Sequence, residues 1–208
     1  MAATPKDVRI VCGLGNPGAE YALTRHSAGF AVIDALAERH GVRYWKSEGG
    51  CDTATIKIRR NGEMQEILLA KPQSYMNTSG GPLSKIARAH KVSPAEILVV
   101  HDEVDLPEGR IQVKFGGGLN AHNGLRSIAD KLGTRDFSRV RCGIGRPPGK
   151  MSVADYALRK LKGAYVEEFL VMAQDAADAV QRCLEQGVAS QLKARPAAFW
   201  PSRARRQV

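Results

Sequence analysis

The chain has 208 residues, enough to bury one hydrophobic core without disulfide or metal staples. Its 31 basic and 21 acidic residues give a net charge of +10, and its 43% hydrophobic and 25% charged residues are ordinary for a soluble globular protein. No apolar run reaches membrane-spanning length, Met1 to Arg9 lack the apolar centre of a signal peptide, and Cys12, Cys51, Cys142 and Cys183 are too dispersed for a disulfide frame or zinc site, which points to reduced thiols in the cytoplasm.

Val8 to Cys12 alternates and is rich in β-branched residues, which predicts a first strand. It runs into Gly13-Leu14-Gly15-Asn16-Pro17-Gly18, a match to the G-x-G-x-x-G dinucleotide fingerprint. That fingerprint needs a helix opening on the glycines, so that its N-terminus meets the pyrophosphate. Here Pro17 intervenes, and the next helical pattern starts only after His26-Ser27. The glycines read instead as a tight turn that presents Asn16. Ser27 is a candidate N-cap for a helix with Phe30, Val32, Ile33, Leu36 and Ala37 on its apolar face, ended by Gly41. Taken alone, His26 at the start of that helix is more often a hydrogen-bonded turn residue than a catalyst.

Residues 53–58 and 66–70 flank Asn61-Gly62, a signal for a tight hairpin. The second strand ends at Pro72, and a loop carries Tyr75, Met76 and Asn77 towards a helix over residues 82–90. By default Asn77 caps that helix and Met76 is core. Ser93-Pro94-Ala95-Glu96 is a capping box with proline at the first helical position. Ile97-Leu98-Val99-Val100 then fits a strand buried on both faces in the middle of a sheet. It stops in His101, Asp102 and Glu103. A carboxylate at the carboxyl end of a central strand lies where open α/β sheets form their ligand crevice. A buried Asp102 needs a partner, and a histidine from another segment is the natural one. The plainer alternative has Asp102 and Asp105 capping the turn at Pro107-Glu108-Gly109.

Residues 110–115 predict another strand, with Lys114 near its end. A second glycine-rich loop, Gly116 to Gly124, leads into a helix carrying Leu125, Ile128, Ala129 and Leu132, closed by Gly133. Residues 137–144 give the last clear strand, with Arg141 inside it and Arg146 beyond. Ser152 and Asp155 resemble a weaker capping box. Residues 166–185 form one long amphipathic helix, with Phe169, Leu170, Met172, Ala173, Ala176, Val180 and Leu184 on one face and Gly187 at its end. With no internal repeat or linker, residues 1–195 read as a single α/β domain, and residues 196–208 as a mobile basic tail. The basic excess favours an acidic partner, nucleic acid first.

Polar residues follow several of these strands: Asn16, Asn77, Asp102 and the pair His122-Asn123. In an open α/β sheet such ends meet in one crevice. No Cys, Ser triad or His/Glu cluster has the spacing of a nucleophile or a metal site. One Asp, histidines and three neutral amides suit hydrolysis of an activated ester. A His–Asp pair would deprotonate water while amide N–H groups hold the carbonyl and its developing oxyanion; general-base help of this kind is worth roughly 10²–10⁴-fold.

Gly13-x-Gly15-Asn16-Pro17-Gly18 with Tyr21, Thr24-Arg25-His26 and Gly29 resembles the opening signature of the bacterial peptidyl-tRNA hydrolases. Lys71-Pro72, Tyr75-Met76-Asn77-x-Ser79-Gly80, His101-Asp102-Glu103-x-Asp105-Leu106-Pro107-x-Gly109, Gly116-Gly117-Gly118, His122-Asn123-Gly124-Leu125 and Arg141-x-Gly143-Ile144-Gly145-Arg146-Pro147 are similar to its later blocks, in order. The likeness spans residues 8–187. It implies a mixed, twisted β-sheet flanked by α-helices in a protein that is usually monomeric, cytoplasmic and free of cofactor and metal. It implies cleavage of the ester between a peptide and the terminal ribose of tRNA, recycling tRNA from stalled translation.

By position, the resemblance makes His26 the general base, Asp102 the carboxylate that polarises it, and Asn16 and Asn77 the amides that position His26 and the peptide main chain. Asn123 would orient substrate or water with His122 beside it, and Tyr21, Tyr75 and Met76 belong to the substrate-binding set. Lys114 and Arg141 match phosphate-facing residues of the tRNA site, with Arg146 and Lys150 as further candidates. One segment departs from the family pattern: Leu119-Asn120-Ala121 stands where x-Gly-Gly is usual, which puts loop shape in question. Two other readings stay open at this point. One is a non-catalytic RNA-binding relative, favoured by the altered loop and the basic tail; the other is a nucleotide-dependent dehydrogenase, resting on the first glycine run alone.

Overall fold

The apolar runs build the middle of a sheet and the amphipathic ones its two coats. The computed structural model describes residues 3–192. In chain order the elements are β1 (Ile10–Gly13), α1 (Ala28–Arg39), β2 (Lys46–Glu48), β3 (Cys51–Arg60), β4 (Glu63–Pro72), α2 (Gly80–Ala89), β5 (Ile97–Glu103), β6 (Ile111–Phe115), α3 (Asn123–Leu132), β7 (Ser138–Gly143), α4 (Val153–Leu158), α5 (Ala164–Gln186) and α6 (Val188–Leu192). The seven strands form one mixed sheet in the order β2-β3-β4-β1-β5-β7-β6. Strands β4, β1, β5 and β7 run parallel in the middle, while β2, β3 and β6 are antiparallel to their neighbours. The basic tail expected at residues 196–208 lies outside the described residues.

Every residue of β5 is buried. Its alternate side chains serve opposite layers, as the period of a strand requires. Leu98 and Val100 pack with α1 and α5, while Ile97 and Val99 pack with α2 and α3. Burying each such side chain stabilises the fold by about 1.5–3 kcal/mol. The expected hairpin turns at Asn61 and Gly62, both at positive φ, as a two-residue primed turn requires. Leu170, expected on the buried stripe of α5, is 50% exposed, because it lies at the rim of a stripe centred on Phe169, Met172, Ala176 and Val180.

The first glycine run does something other than turn. Only Gly18 of that run has positive φ. A Cβ on Gly13 would overlap the Gly29 carbonyl, one on Gly29 would overlap the Leu14 amide and the Val100 carbonyl, and one on Gly15 would meet the Phe30 ring. These glycines let the first turn of α1 lie directly on the ends of β1 and β5. The 3-10 turn Arg25–Ser27, just before α1, is thereby delivered to the carboxyl end of β5.

Candidate active site

At that end of the sheet His26 Nδ1 donates to Asp102 Oδ1 at 2.9 Å. His122, from the second glycine-rich loop, meets the same oxygen through Nε2 at 3.0 Å. His122 is also the N-cap of α3, its Nδ1 accepting from the Leu125 amide at 3.4 Å. The cap fixes the tautomer: Nδ1 is the acceptor, so the proton sits on Nε2 and points at Asp102. His26 is the reverse case. With Nδ1–H given to Asp102, its Nε2 keeps a free lone pair.

The electrostatics follow from this geometry. Burial alone would raise the Asp102 carboxyl, but the charges and hydrogen bonds of His26 and His122 hold it far below the ordinary carboxylate range. Burial works to lower the His26 pKa; the Asp102 charge and hydrogen bond outweigh it, leaving the pKa above the ordinary 6.5. His101 is wholly buried and packs edge-on against His122, ring centroids 5.1 Å apart. Its Nδ1 donates to the Asp102 carbonyl, and burial, then the neighbouring His122, pushes its pKa down. It is therefore a neutral support behind His122. The donor atoms of His26, Asp102 and His122 lie within 4.8 Å of one another, the one group with the spacing of a metal site among the described residues. Both histidines direct an N–H at the same carboxylate oxygen, Oδ1.

These groups line a cleft of about 820 Å³. Asn16, Tyr75, Met76, Asn77, Asn123 and Arg146 line it as well. Asn16 is nearly buried and its Oδ1 accepts from the Met76 amide at 2.8 Å, tying the loop before α2 to the end of β1. Among the described hydrogen bonds none joins Asn16 to His26. Asn77 lies in the 3-10 turn Met76–Thr78 and is exposed to the cleft, while Ser79 takes the N-cap position of α2. Asn123, first residue of α3, is exposed beside it. Gly124 lets α3 approach the Met76 sulfur and Leu14, where a Cβ would not fit. The exposed Val153 and Leu158 of α4, with Ala154 and Ala157, form an apolar wall that the sequence reading did not assign to the site.

Other expected residues lie elsewhere. Tyr21 closes a turn with Gly18 and Thr24 and does not line the cleft. Arg141, expected to face phosphate, is 9% exposed; its Nε and Nη2 bind Glu103 at 3.1 and 2.9 Å and its Nη1 binds Gln112. Parallel pairing of β5 with β7 sets Arg141 opposite His101, on the face that Glu103 also uses, so its first task is internal. Arg146 is exposed and paired with Asp105 at the rim, and Lys150 is exposed outside the cleft. Lys114 is partly buried beside Arg139 and Arg141; burial, then those two guanidiniums, pushes its ammonium pKa down.

The departing loop keeps a left-handed course. Asn120 has φ +47° and Ala121 φ +60°. For an L-residue this conformation costs roughly 1–2 kcal/mol, less for Asn. Beneath the loop Arg139, 1% exposed, donates to the carbonyls of Gly116 and Gly118.

A family model described as peptidyl-tRNA hydrolase matches residues 10–198. The peptidyl-tRNA hydrolase of Frankia alni is 48% identical over 179 residues, 86% of this chain and 89% of the relative. That of Nocardia farcinica is 48% identical over 180 residues, 86% and 91% of the two chains. The crystal structure of peptidyl-tRNA hydrolase from Acinetobacter baumannii superposes with a TM-score of 0.78 at 32% identity, over 95% of this chain and all of the other. On this family match, these identities and this superposition, the chain belongs to the peptidyl-tRNA hydrolase family.

Proposed function

We propose that the protein hydrolyses the ester joining the peptide, or an N-acyl-aminoacyl group, to tRNA, by His–Asp-assisted attack of water. One observation carries the mechanism: His26 spends Nδ1–H on buried Asp102 and keeps Nε2 free in the cleft, whereas His122 is locked as a donor by its helix cap. His26 Nε2 takes a proton from water; Asp102 steadies the imidazolium that forms. The attacked carbonyl becomes an oxyanion, and the amides of Asn77 and Asn123, which line the cleft, would donate to it or to the peptide main chain. His26 then returns the proton to the ribose oxygen as the acyl–oxygen bond breaks; the peptide leaves as a carboxylic acid, which gives its proton to solvent. The apolar wall of α4 accommodates peptide side chains.

Lys114 supports the tRNA side of this reading. It shares a partly buried corner with Arg139 and Arg141, three cations against the single carboxylate of Glu103. Burial and then Arg141 push Arg139 down to about 10, and an arriving phosphate would relieve the repulsion. Arg146 and Lys150 are exposed cations nearer the rim and beyond it. Four free buried cysteines fit a reducing compartment, and we take the enzyme to be cytoplasmic and monomeric, acting on the acceptor end of tRNA. The test is incubation with N-acyl-aminoacyl-tRNA, following release of the acyl-amino acid. Turnover abolished by chelators would overturn the metal-free mechanism, and retardation of tRNA on a gel without turnover would make the chain a binding relative.

A further inference from the structure

We infer that Asn120 is a positioning residue that pegs the second glycine-rich loop across the end of β5, so that His122 and Asn123 face the His26–Asp102 pair. The inference rests on the hydrolase reading of the cleft. Asp102 and Glu103 are consecutive in β5 and project to opposite sides of the sheet. The loop straddles that strand end. Its His122 binds Asp102 at 3.0 Å, while two residues earlier Asn120 Nδ2 donates to both oxygens of Glu103, at 3.2 and 3.1 Å.

Glu103 is a firm anchor. It is 3% exposed, doubly bound by Arg141, and one of its oxygens also accepts from the Asp105 amide at 3.1 Å. Arg139 holds the start of the loop through Gly116 and Gly118, but nothing else among the described hydrogen bonds ties its middle to the sheet. A glycine at Asn120 would allow the same positive φ but leave that middle unpegged. An asparagine there supplies both the tolerated backbone and a pair of donors to a buried carboxylate. Of the two positions that depart from the usual glycines, Asn120 is the one whose side chain bonds the sheet.

The deciding variant is Asn120→Gly, which cannot misfold through backbone strain. With N-acyl-aminoacyl-tRNA, kcat is expected to fall roughly three- to tenfold with KM changed less than about twofold, because His122 and Asn123 act on the reacting centre. Loosened His122 gives up its bond to Asp102, which leaves more carboxylate charge for His26. The acid limb of the pH profile should therefore move up, by about half a unit. Asn120→Asp tolerates the backbone equally but opposes Glu103 with a like charge, and its loss should be larger. A readout independent of turnover uses ¹⁵N-histidine. The Nε2–H of His122 should be a protected downfield proton in the parent and exchange-broadened in Asn120→Gly. A parent without turnover would sink the hydrolase reading and leave this readout to judge the peg. Retained kcat, acid limb and His122 proton in both variants, or a lowered melting temperature alone, would overturn it.

Discussion

Asp102 and Glu103 are adjacent carboxylates in β5, both almost fully buried, yet they are answered differently. Asp102 meets two histidines, one of them with a free lone pair; Glu103 meets a guanidinium and an amide. A buried carboxylate needs a compensating group in either case. Histidine compensates and remains able to exchange a proton near neutrality, whereas arginine stays charged. The side chosen by strand alternation thus decides which carboxylate belongs to chemistry and which to architecture.

The largest effect should come from removing the exchangeable partner. His26→Ala is expected to lower kcat by roughly 10²–10⁴-fold while tRNA binding by gel retardation stays near that of the parent. A wild-type rate would hand the role of base to His122, and with it the inference drawn from its cap.

Asp102→Asn comes next and tests sign as well as size. In the parent, the His26 pKa is raised because Asp102 outweighs burial, so kcat/KM should climb with pH through a limb above 6.5, as neutral imidazole appears. Asparagine keeps the shape but removes the charge, and burial then acts unopposed. The variant should lose about 10²-fold in rate, and its residual activity should show a limb below 6.5. A limb that stays in place would mean that the pair does not set the base.

On the Glu103 side the matching experiment should change stability more than chemistry. Arg141→Ala strands a buried carboxylate that only Asn120 and the Asp105 amide still answer. The expected cost is about 3 kcal/mol of unfolding free energy in urea, with the His26 limb unmoved. A rate loss without a stability loss would move Arg141 back to the substrate.

The asymmetry was only half legible in the chain. Four apolar residues ending in charge marked β5 and its crevice, and a buried Asp102 called for a histidine. The partner of Glu103 depended on the pairing of β5 with β7, which sets Arg141 beside His101; no local pattern encodes that register. Arg141, matched by resemblance to a phosphate-facing residue, carries no local sign of its pairing with Glu103. The same limit applies to Gly13 and Gly29, whose close approach is a tertiary contact and not a turn. Strand β2, Lys-Ser-Glu at an exposed edge, has no apolar period to read at all. Asn120 was visible as a departure from glycine, but its anchor was not.

The smallest effect should be at Lys114, where the surplus of positive charge on the Glu103 side reaches the surface. If Glu103, Arg139 and Arg141 were a closed structural set, Lys114→Ala would relieve repulsion and slightly stabilise the fold. If the surplus is there for a phosphate, the variant should bind tRNA more weakly, and the slope of log K against log salt should fall by about 0.9 or less. The two outcomes are compatible in sign for stability and opposed for binding, so the salt titration decides between them. An unchanged slope would confine the corner to architecture and leave the tRNA site to be sought among Arg146, Lys150 and the exposed rim.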